Sequence, residues 1–380
     1  MSPDRRDKLI GRHARTAFRR GAVLWSVLAL AFLLSACATA RPAVSEVISY
    51  DGPPPPDARL RLGKGTITVM AFSPDGEYLA VGSNVGLYLY RTGTFEEVWL
   101  VPGNRPVSSL AFSADGSLLA AGLESGALIL LDAATGDILT TLQGTAEVGS
   151  LAWSSAGLED EGVLLAAGFN DGQVIVSNVR RADDEVTVDV VGALERHSSG
   201  VSSLAYSPDG RILATGSRSG FVSLWNARTG QLLQTFAGHE IGQAVLALDW
   251  LPDGGTLISG SRDHQVIVWD IRAGQQARTL AGHEGGVLSV GHSPDGASVV
   301  SASDDGTVIV WNAEVTEPVR TLEGLSTETD AVAWSPDGVT FVAASRGGTL
   351  RMWNLGPDGP DGELLQEVEG FTARSRSVRG

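Results

Sequence analysis

From Gly282 onward the chain alternates short apolar runs with polar, glycine-bearing turns. Val287–His292 is apolar and ends at Ser293-Pro-Asp-Gly296. Proline sets φ at the first corner of that turn and Asp-Gly suits the remainder. Ser298–Ser303 is the next run, and Asp304-Asp305-Gly306 turns the chain again. Residues 307–312 (Thr-Val-Ile-Val-Trp-Asn) alternate β-branched and aromatic side chains, and residues 317–322 form a fourth run. The pattern predicts four antiparallel strands in about 40 residues.

The same unit recurs along the chain. Its turn phrase stands at Ser73-Pro-Asp-Gly76, Ser113-Ala-Asp-Gly116, Ser154-Ser-Ala-Gly157, Ser207-Pro-Asp-Gly210, Leu251-Pro-Asp-Gly254, Ser293-Pro-Asp-Gly296 and Ser335-Pro-Asp-Gly338. The steps are 40, 41, 53, 44, 42 and 42 residues. Four short strands at a period in the low forties predict an all-β, seven-bladed β-propeller of four-stranded antiparallel blades over residues 59–370. One such unit cannot bury its own apolar faces, so the seven must stack into one domain. The third unit is 11 residues longer than the usual 42. The excess sits near residues 158–163 and 180–185, both charged, and reads as two solvated loop extensions or a protruding contact site beside blade three. The ring can close in two ways. Residues 362–370 repeat the outer-strand phrase of residues 230–238, and residues 58–62 could supply a strand instead.

The repeats resemble the WD-repeat family. That family pairs an opening Gly-His, here Gly238-His239 and Gly282-His283, with a closing Trp-Asp. The closings are Trp225-Asn226, Trp269-Asp270, Trp311-Asn312 and Trp353-Asn354, with Leu131-Asp132 and Ser177-Asn178 as weaker copies. The resemblance implies a structural hydrogen-bond set of His239, Ser259, Asp263 and Trp269 in blade five, and of His283, Ser301, Asp305 and Trp311 in blade six. Blade four keeps His197, Thr215 and Trp225, but Ser219 takes the aspartate position. Ser, His and Asp also make up a hydrolase triad, yet recurrence in at least two blades marks a structural unit. The resemblance further places partner binding on the face carrying the second-to-third-strand turns. Arg218, Arg262 and Arg346 occupy one slot of those turns and form a candidate rim for an acidic peptide. Glu124 and Asp304 share that rim.

The first 58 residues belong to a different pattern. A basic stretch precedes an apolar core of 13 residues, 22–34, too short to span a bilayer comfortably and suited to a secretory signal. It ends in Leu34-Ser35-Ala36-Cys37, and Cys37 is the only cysteine. These four residues resemble the bacterial lipobox. The resemblance implies cleavage after residue 36 and lipidation of Cys37, hence a cell-envelope protein anchored in a bilayer on the non-cytoplasmic side of a bacterial membrane. Residues 37–58, with four consecutive prolines at 53–56, read as a tether, and residues 38–58 extend to roughly 70 Å. Residues 371–380 read as a disordered basic tail.

Charge narrows the functional classes. The chain carries a net charge of -16. Residues 1–36 hold seven of the 28 basic and two of the 44 acidic residues, so the remainder has 21 against 42, or -21. Such a domain repels phosphate backbones, and nucleic acid is not expected as a partner. No spacing suggests a metal site, a calcium loop or a phosphate-cradling loop, and no cofactor is expected. His292 takes a position held elsewhere by Phe72, Phe112, Trp153, Tyr206, Trp250 and Trp334, and reads as a core substitute. The expected function is a monomeric propeller that binds proteins at a membrane, without catalysis of its own. The alternatives are a propeller enzyme of the lactonase or quinoprotein kind, and an outer-membrane assembly factor.

Overall fold

The backbone of the Ser-Pro-Asp-Gly phrase turns the same way at every complete copy, with the glycine N–H donating to the serine carbonyl. In the first copy the Ser73 hydroxyl donates to Asp75 at 2.5 Å and accepts from the Tyr78 N–H at 2.9 Å. Asp75 also accepts from the Glu77 N–H, and Gly76 N donates to Ser73 O. Gly76 has φ +74°, a region closed to most side chains, and its counterpart in five later blades is again a left-handed glycine. Each turn joins the first two strands of a blade.

In the computed structural model, the described residues are 65–92, 94–158, 162–182, 185–194, 197–314, 317–322, 329–346, 349–355 and 363–369. They form seven sheets of four antiparallel strands, each sheet using four consecutive strands of the chain. The blades span 67–102, 107–143, 148–193, 201–237, 245–281, 287–322 and 329–369. Strands are lettered a to d from the centre outward. Strand a of each blade contacts strand a of the next, and that of blade seven contacts that of blade one, which closes the ring.

Burial follows the ring. Among the described residues there are seven apolar clusters, and each joins two adjacent blades. No blade buries its apolar surface alone, so the hydrophobic gain comes with stacking. The junction of blades seven and one is one of these clusters, with Ile67, Met70, Tyr88 and Tyr90 against Val342, Leu350 and Met352. Blade seven takes its outer strand, Glu363–Glu369, from the C-terminal side, where it pairs with Thr349–Asn354. Residues 58–62, the other candidate for closure, lie outside the described residues.

Hydroxyls on strand a tie blade to blade around the centre. Thr68 Oγ1 donates to Val107 O at 2.5 Å, Ser108 Oγ to Val148 O at 2.7 Å and Ser202 Oγ to Val245 O at 2.6 Å. Ser150 Oγ accepts from Leu204 N at 3.0 Å, and Ser289 Oγ from Val332 N at 3.2 Å. Farther out, Trp99 Nε1 donates to Ala133 O at 3.0 Å and Gln234 Nε2 to Gly274 O at 2.8 Å. These bonds satisfy polar groups at the junctions and set the rotation of each blade against the next.

Blade three departs from the expectation of two solvated loops. Its strands are Val148–Leu158, Gly162–Phe169, Val174–Ala182 and Glu185–Ala193, of 11, 8, 9 and 9 residues, against five to seven in every other blade. The extra residues extend the ladders, with Leu158 opposite Gly162 and Ala182 opposite Glu185. Residues 154–157 therefore run within a strand and do not form a tight turn. The phrase lacks both the proline and the aspartate that build the turn elsewhere. Arg181 pairs with Asp132 and donates to Ser117 O of blade two, while Ser155 Oγ donates to Pro208 O of blade four. The extension is braced on both sides.

Candidate functional site

The structure brings each histidine set together. In blade five, His239 Nδ1 lies 2.8 Å from Asp263 Oδ2 and Nε2 lies 2.6 Å from Ser259 Oγ. Trp269 Nε1 donates to the same Oγ at 2.8 Å. A carboxylate only accepts, so Nδ1 carries the proton and Nε2 accepts from the serine hydroxyl. Blade six repeats this, with His283 to Asp305 at 3.1 Å, His283 to Ser301 at 2.7 Å and Trp311 to Ser301 at 2.8 Å. Asp305 also accepts from Glu284 N and from the N–H and hydroxyl of Thr307. Burial raises the Asp305 pKa, but the Thr307 and Glu284 donors outweigh it and hold the carboxyl down to about 2. Burial pushes the His283 imidazole below its usual value despite Asp305.

These sets cannot act as hydrolase triads. Ser259 and Ser301 are 0% exposed, and each hydroxyl already accepts an indole N–H while bonded to imidazole. No reacting carbonyl can reach either oxygen. Their effect is to join strands b and c of each blade to the segment preceding strand a. In blade four, Thr215 contacts His197 at 3.0 Å and accepts from Trp225 at 3.0 Å, while Ser219 bonds to Ser199 and Ser217. Without a carboxylate, burial alone holds the His197 pKa down.

The candidate rim lies on the opposite face from the Ser-Pro-Asp-Gly turns. Arg218, Arg262 and Arg346 are all exposed there, but their surroundings differ. Arg218 Nη2 donates to Asn170 Oδ1 at 2.9 Å, and Asn170 in turn donates to Glu147. Arg346 pairs with Asp330 of its own blade at 3.1 Å. Among the described residues the Arg262 guanidinium has no hydrogen-bond or ion-pair partner, and Asp304 borders it across Gly286. The loop between Arg218 and Arg262 carries Ile241, the most exposed large apolar residue described, at 80%. Sequence reasoning passed over Ile241, because a lone isoleucine in a loop carries no periodic signal.

His292 differs in part from its expected role as a core substitute. His292 does fill the aromatic slot, but as a polar contact: its Nδ1 lies 2.6 Å from Asp249 of blade five. Asp249 stands where other blades have alanine or glycine, so two paired exceptions in the repeat could have revealed the contact. His264 sits in a turn at φ +71°, where blades two, three, four and six have glycine. Among the described residues no group of three or more His, Cys, Asp or Glu could hold a metal ion, and no helix is long and apolar enough to cross a membrane. Cys37 lies outside the described residues.

Comparison with known proteins agrees with this geometry. The family described as WD domain, G-beta repeat matches residues 189–226, 230–270, 274–312 and 316–354. The Anaphase-promoting complex subunit 4 WD40 domain matches residues 70–156. Neither description names an enzyme. Residues 157–188, which include the lengthened hairpins of blade three, lie between the two matches. Among curated relatives, Cell division cycle 20.1, cofactor of APC complex, from Arabidopsis thaliana is 32% identical over 178 residues, covering 45% of this chain and 38% of the relative. Protein FIZZY-RELATED 1 from the same plant is 28% identical over 124 residues, covering 32% of this chain and 24% of the relative. The matched region thus spans well under half of either relative. A chain in a solved structure described as Crystal Structure of Mitotic Checkpoint Complex superposes with a TM-score of 0.68 at 23% identity, covering 84% of this chain and 97% of that one. At that identity the likeness speaks for the fold. With two WD40 families matched on either side of blade three's extension and seven four-stranded blades closed in a ring, the chain is a β-propeller of WD-repeat type.

Proposed function

We propose that this chain is a cell-envelope lipoprotein whose propeller is a platform for protein partners and has no catalysis of its own. One observation carries the platform reading. Among the described residues the recurrent Ser-His-Asp constellations are buried struts, while the exposed turns of the face opposite the Ser-Pro-Asp-Gly turns differ in charge from blade to blade. A rigid scaffold with variable exposed turns suits recognition. The relatives support it, since one is described as a cofactor of a complex and the superposed chain comes from a complex. Arg218, Arg262 and Arg346 are the proposed contact residues for an acidic peptide or protein. The anchoring part rests on Leu34-Ser-Ala-Cys37 directly after the apolar core. Two or three acyl chains make attachment stable, where one is marginal.

Two measurements test this. Cells fed a fatty-acid probe should label the wild-type chain and not Cys37→Ser; an unlabelled wild type refutes the anchor. A crosslinked pull-down from detergent-solubilised membranes should recover a discrete protein partner. Reversal of all three arginines to glutamate should lose it, and an unchanged profile would move the contact off this rim.

A further inference from the structure

We infer that the partner contact is centred between blades four and five, where Ile241 enters the partner and Arg218 and Arg262 flank it. The occupant is an extended peptide bearing one apolar side chain between carboxylates. This deepens the platform reading and rests on it.

Hydrogen bonds hold the loop that carries Ile241. Ile241 is 80% exposed, yet its loop is tied to both blades. Gly242 N donates to Ser219 O at 3.0 Å, Gln243 N to Glu240 O at 3.0 Å, and Glu240 N to Asp263 Oδ2 at 2.9 Å. Gly220 approaches so closely that a Cβ there would lie 2.6 Å from Glu240 O. The Asp263 carboxylate is itself held by His239, so the strut of blade five also sets the height of this loop. With the loop backbone already held by these bonds, a partner that covers the isoleucine gains apolar burial and orders only one side chain.

Charge then selects the partner. Arg218 lies in the blade-four turn next to Ser219, and Arg262 N donates to Ala244 O at the loop's far end, so the turns that carry the two arginines bracket the loop of Ile241, while the Arg218 guanidinium rests on Asn170. Arg346 stands on blade seven, away from this loop, and pairs with Asp330. Asp304 ends the positive strip on the blade-six side, and Glu240 is the one carboxylate within the loop. Beyond residue 36 the chain carries a net charge of -21, so a cationic strip stands out against an acidic background.

The test uses fluorescein-labelled peptides with one leucine between two Asp-Glu pairs, with alanine for that leucine, and with Lys-Lys for the acidic pairs. Anisotropy against the intact chain in detergent should show binding of the first only. Ile241→Ser should weaken it about tenfold, and so should Arg218→Glu with Arg262→Glu, the latter less as salt rises. Glu240→Lys should tighten it. Melting temperatures confirm that each variant is folded. Equal affinity for the three peptides, or binding unchanged in folded Ile241→Ser, overturns the proposal. If membrane pull-downs still recover a partner with Ile241→Ser, the platform stands and this docking site falls.

Discussion

Asp249 of blade five accepts two hydrogen bonds from His292 of blade six, from the backbone N–H at 3.1 Å and from Nδ1 at 2.6 Å. At the same slot, Trp153 donates its Nε1 to Ala111 O at 3.0 Å, and Trp250 to Ala205 O at 3.2 Å. The junction contact is thus kept while its chemistry changes from indole and carbonyl to imidazole and carboxylate.

That change makes one junction sensitive to pH. Burial lowers the His292 pKa, but the Asp249 carboxylate, aided by Asp295, outweighs it and the net shift is upward. The folded pKa lies above the unfolded value of 6.5, so the stabilisation is fully present below 6.5 and is lost as pH rises through the folded value. Asp249→Asn should destabilise the fold by about 1–3 kcal/mol at pH 6, seen as a lower melting temperature, and much less at pH 9. Asp249→Ala with His292→Trp should restore a pH-independent junction. Calorimetry across that range checks both, and an equal loss at the two pH values would assign the effect to packing.

Asp305→Ala should destabilise blade six by about 1–3 kcal/mol, because His283 and Glu284 N lose their acceptor. The sign with pH is opposite to that of His292. The Asp305 pKa is held down to about 2 in the fold, so its contribution is present above 3.8 and fades as pH falls toward 2. Acid-unfolding curves of variant and wild type should converge at the low end. A gap that persists at pH 2 would contradict this.

Blade four offers the reverse experiment. Ser219→Asp supplies the carboxylate that His197 lacks. It should raise the imidazole pKa, now depressed by burial, and add about 1 kcal/mol. NMR titration of His197 and the melting temperature report the two effects. A higher melting point without an upward titration shift would mean that the new carboxylate found another partner.

In blade three, Arg181→Ala should cost about 1–2 kcal/mol, since its guanidinium bridges to the Asp132 carboxylate and Ser117 O on the neighbouring blade. Arg211→Ala, by contrast, removes an exposed pair with Asp209 at 3.9 Å and should change stability by less than about 0.5 kcal/mol. Removing residues 180–185 should destabilise more than either, because it shortens two paired strands. Denaturant titration of the three variants gives the order, and a fully stable deletion would return these residues to the status of a loop.

The repeat exposed most of the fold in advance. A turn phrase that uses Ser, Pro, Asp and Gly for four separate reasons, repeated at a near-constant step, determines strand number, pairing and the ring itself. The histidine sets were legible for the same reason, since the hydroxyl and indole partners stand ten residues apart in both repeats, with His239 and His283 20 and 18 residues ahead of the hydroxyl. The extension of blade three was misread because length alone does not tell a loop from a longer hairpin. Arg181 decides it through a contact 49 residues away in the chain, with Asp132.

Local chemistry, repeated, was enough for the sequence to determine blades and struts, because turns and ladders depend on residues close along the chain. Only the tertiary structure decided the junctions. Whether His292 meets Asp249, whether Arg346 is occupied by Asp330, and whether Ile241 stands clear of both neighbouring turns all depend on the rotation of one blade against the next. That rotation follows from seven shared apolar clusters packing at once, a collective property that no single repeat encodes.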